Sequence, residues 1–224
     1  VVLVTGPTGS GKSTTLYSVL SMINSPEINI STIEDPIEAK IPGINQAQVN
    51  QRAGFTFASA LRSMLRQDPD VLMVGEVRDG ETAGIVTQAA LTGHLVFSTL
   101  HTNDATSAVT RMGNLGLESY LIAATLRGVL AQRLVRKICP HCKEPHVPEP
   151  RIAEALERSG CQWDTLYQGG GCGRCRHTGF AGRIGIFELL VPDAGILDAI
   201  ASGVTLQDLR ALVEGRGFRS LRQD

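Results

Sequence analysis

Val1-Val-Leu-Val-Thr5-Gly6-Pro7-Thr8-Gly9-Ser10-Gly11-Lys12-Ser13-Thr14 decides how the rest of the chain is read. Val1 to Thr5 is short and apolar enough to be a buried strand. The next nine residues carry Gly6, Gly11, Lys12 and Ser13 at the spacing G-x-x-x-x-G-K-[ST]. Glycines at 6, 9 and 11 let the backbone curl so that successive N–H groups point inward at an anion, and the following helix sets its positive end against the same charge. A strand before and a helix after separate this pattern from an ordinary Gly-rich turn. The spacing predicts a nucleotide cradle built by Gly6, Pro7, Thr8, Gly9, Ser10, Gly11, Lys12, Ser13 and Thr14. In it Lys12 reaches the β and γ phosphates of ATP and the Ser13 hydroxyl ligates Mg²⁺.

Downstream, Leu16, Val19, Leu20 and Ile23 recur at helical spacing, and the helix stops near Asn24-Ser25-Pro26. A β-rich run from Ile28 to Ile33 ends on Glu34-Asp35-Pro36-Ile37-Glu38. Acids at the end of a strand in an open α/β fold lie where ligands bind, at the carboxyl edge of the sheet; standing alone, the same group reads as a capped turn. From Thr56, an amphipathic helix with Arg62 and Arg66 off its apolar face leads through Asp68-Pro69-Asp70 to Val71-Leu72-Met73-Val74. That strand delivers Glu76, an acid placed to orient Mg²⁺ or water, although Gly75 stands where an Asp is usual. A helix from Glu81 to Leu91 and a strand from Leu95 to Leu100 follow, bracketed by His94 and His101. His101 shares the strand-end position of Glu34 and Glu76 and reads as functional, whereas His94 fits a structural histidine as well as a functional one. Helices are expected over Ala105 to Met112 and Ser119 to Val135, the second carrying a wide apolar stripe.

Cys139-Pro-His-Cys142 and Cys172-Gly-Arg-Cys175 are two C-x-x-C knuckles with 29 residues between them. Two such knuckles suit tetrahedral Zn²⁺, each loop supplying two thiolates. Redox cysteines would not come as a matched pair, and Cys161 reads as a plain small residue. The insert from Glu149 to Ser159 is expected to form its own small helix. After a Gly-rich segment come a strand from Ile184 to Leu190, a helix from Ala194 to Ala201, and another starting at Thr205 with Asp208 three residues on.

The totals exclude several classes. A chain of 224 residues, 42% hydrophobic and 19% charged, is an ordinary globular protein of one large or two small domains. A net charge of −1 gives no general attraction to nucleic acid or an anionic membrane. No apolar run approaches the roughly 20 residues of a spanning helix, so a cytoplasmic protein is expected. The chain opens on its first strand without an initiating Met, so further residues are expected upstream.

Taken together, the blocks from GPTGSGKST (6–14) through TIEDPIE (32–38), LRQDPDVLMVGEVRD (65–79), LTGHLVFSTLHTNDA (91–105), LAQRLV (130–135), the paired cysteines and GRIGIFELL (182–190) resemble the assembly ATPases of bacterial type II secretion and type IV pili. The resemblance implies an α/β fold: a RecA-like P-loop core over 1–136, a tetracysteine zinc-binding module over 137–182 and a small helical C-terminal subdomain over 183–224. It implies a hexameric homo-oligomer, peripheral to the inner membrane, that turns a platform protein there and is held by a cytoplasmic recruiting protein. Glu34 matches the position thought to polarise the attacking water, and His101 the one contacting the γ phosphate. Glu76 matches the family's Walker B acid, and Gly75 before it is the family's habit. The tetracysteine module is typical of secretion and extension motors, and GIFELL leans to secretion. An amino-terminal domain precedes the matching region in the family and supplies basic residues to the site.

Without the family, the same chemistry follows in outline. Lys12 and the loop hold the triphosphate, Ser13 and Glu76 hold Mg²⁺ directly or through water, and Glu34 orients the water. A positive group should complete the site, with Arg62, Arg66 and Arg78 as candidates. Rival readings are a kinase, a zinc-containing nucleic-acid translocase drawing on the basic residues between Arg133 and Arg183, and a scaffold that ATP merely locks. Few aromatics lie among those basic residues, so no nucleic-acid partner is expected.

Overall fold

A computed structural model describes residues 1–158 and 164–224. Cys161, Trp163 and the expected helix end at Ser159 lie outside the described residues. The chain runs β1 (Val2–Thr5), α1 (Lys12–Ile23), β2 (Ile30–Glu34), β3 (Asn45–Gln48), α2 (Phe57–Met64), β4 (Val71–Val74), α3 (Gly80–Leu91), β5 (Leu95–Leu100), α4 (Ala105–Asn114) and α5 (Ser119–Thr125). It continues through β6 (Gly128–Ile138), β7 (Lys143–His146), α6 (Pro150–Arg158), β8 (Leu166–Gly169), β9 (Phe180–Leu190), α7 (Ala194–Ala201) and α8 (Leu206–Glu214). Seven strands form one sheet in the order β3-β2-β4-β5-β1-β6-β9, and β7 pairs with β8 in a separate two-stranded ribbon. Every pairing from β3 to β6 is parallel, and β9 runs antiparallel to β6.

Period-two alternation builds the core on both faces of this sheet. Leu3, Ile33, Leu72, Val74, Val96 and Leu100 point to the face covered by α2, α3, α4 and α5, where most of the buried apolar side chains gather. Val4, Ile30, Val71, Met73 and Phe97 point the other way, against Leu16 and Leu20 of α1. Because parallel strands all end on the same side, β1, β2, β4 and β5 deliver their last residues to a common rim.

One expected helix is not there. Residues 119–135 divide at Leu126, which is extended with φ −68° and ψ 125°, into the short α5 and the strand β6. The apolar spacing fits a helix, but it fits a strand too, and β1 decides between them. One edge of β1 pairs with β5, and the other takes β6 in register Val2 with Gly128 through Thr5 with Ala131. As a strand, the segment sends Val129 and Ala131 to one core and Leu130 to the other. Burial against two layers outweighs a one-sided helical stripe.

Strand β3, Asn-Gln-Ala-Gln, carries no apolar signal and holds its place by pairing in parallel with β2. Strand β9 begins at Phe180, earlier than the expected Ile184, so the 182/183 boundary falls within a strand of the main sheet. Helices α7 and α8 start where expected, with the Asp193 carboxylate accepting from the Ile196 N–H and the Thr205 hydroxyl from the Asp208 N–H.

Candidate functional site

The loop between β1 and α1 curls through Gly6, Gly9 and Gly11 at φ 151°, 77° and 89°, conformations that side chains rarely adopt. At Gly6 the requirement is spatial as well. A Cβ there would stand 2.5 Å from the Gln132 carbonyl oxygen and 2.6 Å from Ser10 Oγ. Gln132, on β6 and buried, clamps the loop from the side: its Nε2 donates to the Ser10 carbonyl at 2.7 Å, and its Oε1 accepts from the Thr15 hydroxyl at 2.9 Å. Gly6→Ala is therefore expected to destabilise the protein by about 1–3 kcal/mol and to distort the loop. Thermal unfolding together with nucleotide titration checks this, and an unchanged midpoint with unchanged affinity would refute the spatial requirement at Gly6.

A cavity of about 460 Å³ opens at the rim where β1, β2, β4 and β5 end. That volume lies within the range of small-molecule sites. It brings together Thr8, Gly9, Gly11, Lys12, Ser13, Thr14, Glu34, Glu76 and His101. Gly6, Pro7 and Ser10 shape the loop without lining the cavity. The Lys12 ammonium folds back onto the carbonyls of Gly6 and Pro7 at 2.9 and 3.1 Å. Its pKa is lowered, chiefly by burial, with the Glu76 carboxylate pulling the other way. Ser13 Oγ donates to Glu38 Oε1 at 3.0 Å.

Glu76 pairs with Arg78, and its Oε2 lies 3.6 Å from His101 Nε2. Gly75 packs closely on β2: a Cβ there would sit 3.3 Å from both the Glu34 Cα and the Ile33 carbonyl oxygen. Of the three candidate arginines, Arg78 reaches the cavity. Arg62 instead pairs with Glu81 at 2.6 Å, and Arg66 donates to the Arg62 carbonyl. His94 is structural, its Nδ1 bonded to the Ala89 carbonyl at 2.9 Å and to the Thr92 hydroxyl at 3.0 Å as it closes α3. Sequence reasoning missed Tyr17 and did not single out Glu38 from its acidic group; the one available signal was that Ser13 and Tyr17 are a helical turn apart on α1.

The four paired cysteines converge as expected. The Sγ atoms of Cys139, Cys142, Cys172 and Cys175 all lie within 4.8 Å of one another. Cys175 Sγ is 3.8 Å from both Cys142 Sγ and Cys172 Sγ. A tetrahedron with bonds of about 2.3 Å has an edge of about 3.8 Å, so the donor set fits a zinc-sized cation. The Cys172 N–H donates to Cys175 Sγ at 3.2 Å and leads the effects that pull that thiol down to about 6. Cys142 is pushed up to about 12, burial being the larger cause. Thiols this close resist ionising together, and a shared cation removes that conflict.

The family model described as "Type II/IV secretion system protein" matches residues 1–224. The chain belongs to that family. This secretion-family chain is 55% identical over 224 residues to the type II secretion system protein E of Dickeya dadantii, covering 100% of itself and 44% of that relative. It is 54% identical over 226 residues to the type IV pilus assembly ATPase PilB of Thermus thermophilus, covering 100% of itself and 25% of that relative. The secretion-family chain thus spans less than half the length of these relatives. Among solved structures it is similar to the pilus retraction motor PilT with bound ADP, at 34% identity and a TM-score of 0.72, covering 99% of this chain and 55% of that one. Among the described residues of the secretion-family chain, no helix is long and apolar enough to cross a membrane.

Proposed function

We propose that the chain is the ATP-hydrolysing part of a motor that powers type II protein secretion, assembling a pseudopilus through an inner-membrane platform protein. One observation carries this reading: Lys12 and Ser13 at the start of α1, Glu34 at the end of β2, Glu76 just after β4 and His101 just after β5 all line one cavity at the carboxyl rim of the sheet. The strand order, with β5 between β1 and β4, supports a RecA-like P-loop core over 1–136. The relatives named for secretion and the ADP-bound retraction motor support the activity.

In this reading the loop amides and Lys12 hold the triphosphate, with Lys12 exchanging its two carbonyl partners for phosphate oxygens. Ser13 and Glu76 hold Mg²⁺, which when bound neutralises charge on the transferring phosphoryl group. Glu34 orients the attacking water. His101 meets the γ phosphate and reports its loss to Glu76 and, along its own loop, to α4. Arg78 and Arg183 are positive groups that already line the cavity on this chain. The tetracysteine module, 137–182, holds a structural Zn²⁺, and 183–224 adds the final strand and helical subdomain. The working form is a homo-hexamer in the cytoplasm, peripheral to the inner membrane through its platform and recruiting partners, with no nucleic acid bound. The near-equal identity to a pilus assembly ATPase favours pilus extension as the second reading.

Phosphate release by the full-length protein tests the activity. Multiple turnovers are expected with ATP and Mg²⁺ alone. Turnover that appears only when a hydroxyl-bearing acceptor is added would point to a kinase, and strong salt-dependent retention of DNA or RNA would point to a translocase.

A further inference from the structure

Glu34 is 4% exposed, and its charge is met by hydrogen-bond donors. Its Oε1 accepts from the Thr32 hydroxyl at 2.7 Å and from Gln46 Nε2 at 3.0 Å. Its Oε2 accepts from the Tyr17 hydroxyl. A carboxylate offers about four lone-pair sites, two on each oxygen. With Oε1 filled, the one left lies on Oε2, the oxygen that Tyr17 holds.

Tyr17 is itself held. Its oxygen accepts from the Glu38 N–H at 3.1 Å, which turns the phenolic proton toward Glu34. The Glu38 side chain in turn accepts from Ser13 Oγ at 3.0 Å. Ser13 and Tyr17 are one turn apart on α1, the helix that begins at Lys12. A single helix face therefore carries the end of the loop and the phenol that grips the acid. Packing alone would ask only for an aromatic ring at 17; the hydroxyl is used twice.

We propose that Tyr17 is a positioning residue: its phenol holds the Glu34 carboxylate so that the remaining Oε2 lone pair is presented to the attacking water, in fixed register with the helix that carries Lys12 and Ser13. This rests on the reading of Glu34 as the group that orients water. Without the phenol, Thr32 and Gln46 still hold Oε1, but Oε2 has two open lone pairs and no partner to fix its tilt, and misplacement on the scale of 1 Å is costly in a site that works by orientation.

Steady-state ATP turnover of the full-length Tyr17→Phe protein tests the proposal, with Glu34→Gln and the double variant beside it. The Phe protein loses one hydroxyl and keeps the ring. Its kcat is expected to fall about ten- to a hundredfold, with KM for ATP held within about twofold. Tyr17→Phe added to Glu34→Gln is expected to cause no further fall, because the two act through one group. An unaltered kcat, a change in KM alone, or the same fold-loss in both backgrounds would overturn the assignment of Tyr17 while leaving Glu34 in place. Full turnover by Glu34→Gln itself would overturn the reading of Glu34 and this inference together.

Discussion

Glu34→Gln is expected to leave the full-length protein able to bind ATP and Mg²⁺ while its turnover falls by about a thousandfold, within the 10²–10⁴ that general-base positioning supplies. The amide keeps the shape of the side chain and its bonding to Thr32, but it loses the charge that polarises water. Lys12→Ala is expected to fail differently, losing nucleotide affinity along with turnover, because Lys12 meets the phosphates in the ground state too. Equilibrium binding of a fluorescent ATP analogue and phosphate release, measured on both variants, separate the two failures. Rapid hydrolysis by Glu34→Gln would show that another group handles the water. Tight binding by Lys12→Ala would remove the loop from the phosphate site.

Cys139→Ser, or treatment with a metal chelator, is expected to unfold the tetracysteine segment between β6 and β9 while the sheet from β1 to β5 persists. Structural zinc sites contribute on the order of 10 kcal/mol in isolated peptides, as much as the whole stability margin of many domains. Among its described residues the module has little buried apolar packing to hold it. None of the nine residues of α6 is buried, and β7 and β8 form a two-stranded ribbon. Metal content should be one zinc per chain in the natural protein and near zero in the variant. Amide exchange should accelerate beyond Cys139 and stay slow in β1 and β4. A zinc-free natural protein that keeps its exchange protection would exclude a metal-built module. Because Cys139 follows directly on β6, and β6 carries the Gln132 clamp, some loosening of the loop is expected as a secondary effect.

Much of the site was legible because it depends on local order along the chain. The loop from Gly6 to Thr14 announces itself by spacing. Glu34, Glu76 and His101 each stand at the end of an apolar run, and parallel strands that end on one side must bring such residues to one rim. The cysteine knuckles were equally plain, since a pair with two residues between them already forms half a tetrahedron. The partners of these groups were not legible. Nothing in the sequence sets Tyr17 apart on α1, and Gln46 lies in a polar strand without periodicity. Each meets Glu34 only because α1 and β3 are packed beside β2.

By itself, then, the order of residues determined the kinds of chemistry present and the edge of the sheet where they gather. Glycine spacing, apolar runs and short Cys-x-x-Cys loops act over a few residues and need no distant partner. Tertiary structure alone decided that the segment 128–138 is a strand, that Arg78 and not Arg62 or Arg66 faces the cavity, and which donors hold Glu34. Those outcomes depend on groups far apart in the chain: an open edge of β1 to be paired, two core layers to be filled, and a buried charge whose lone pairs must be met.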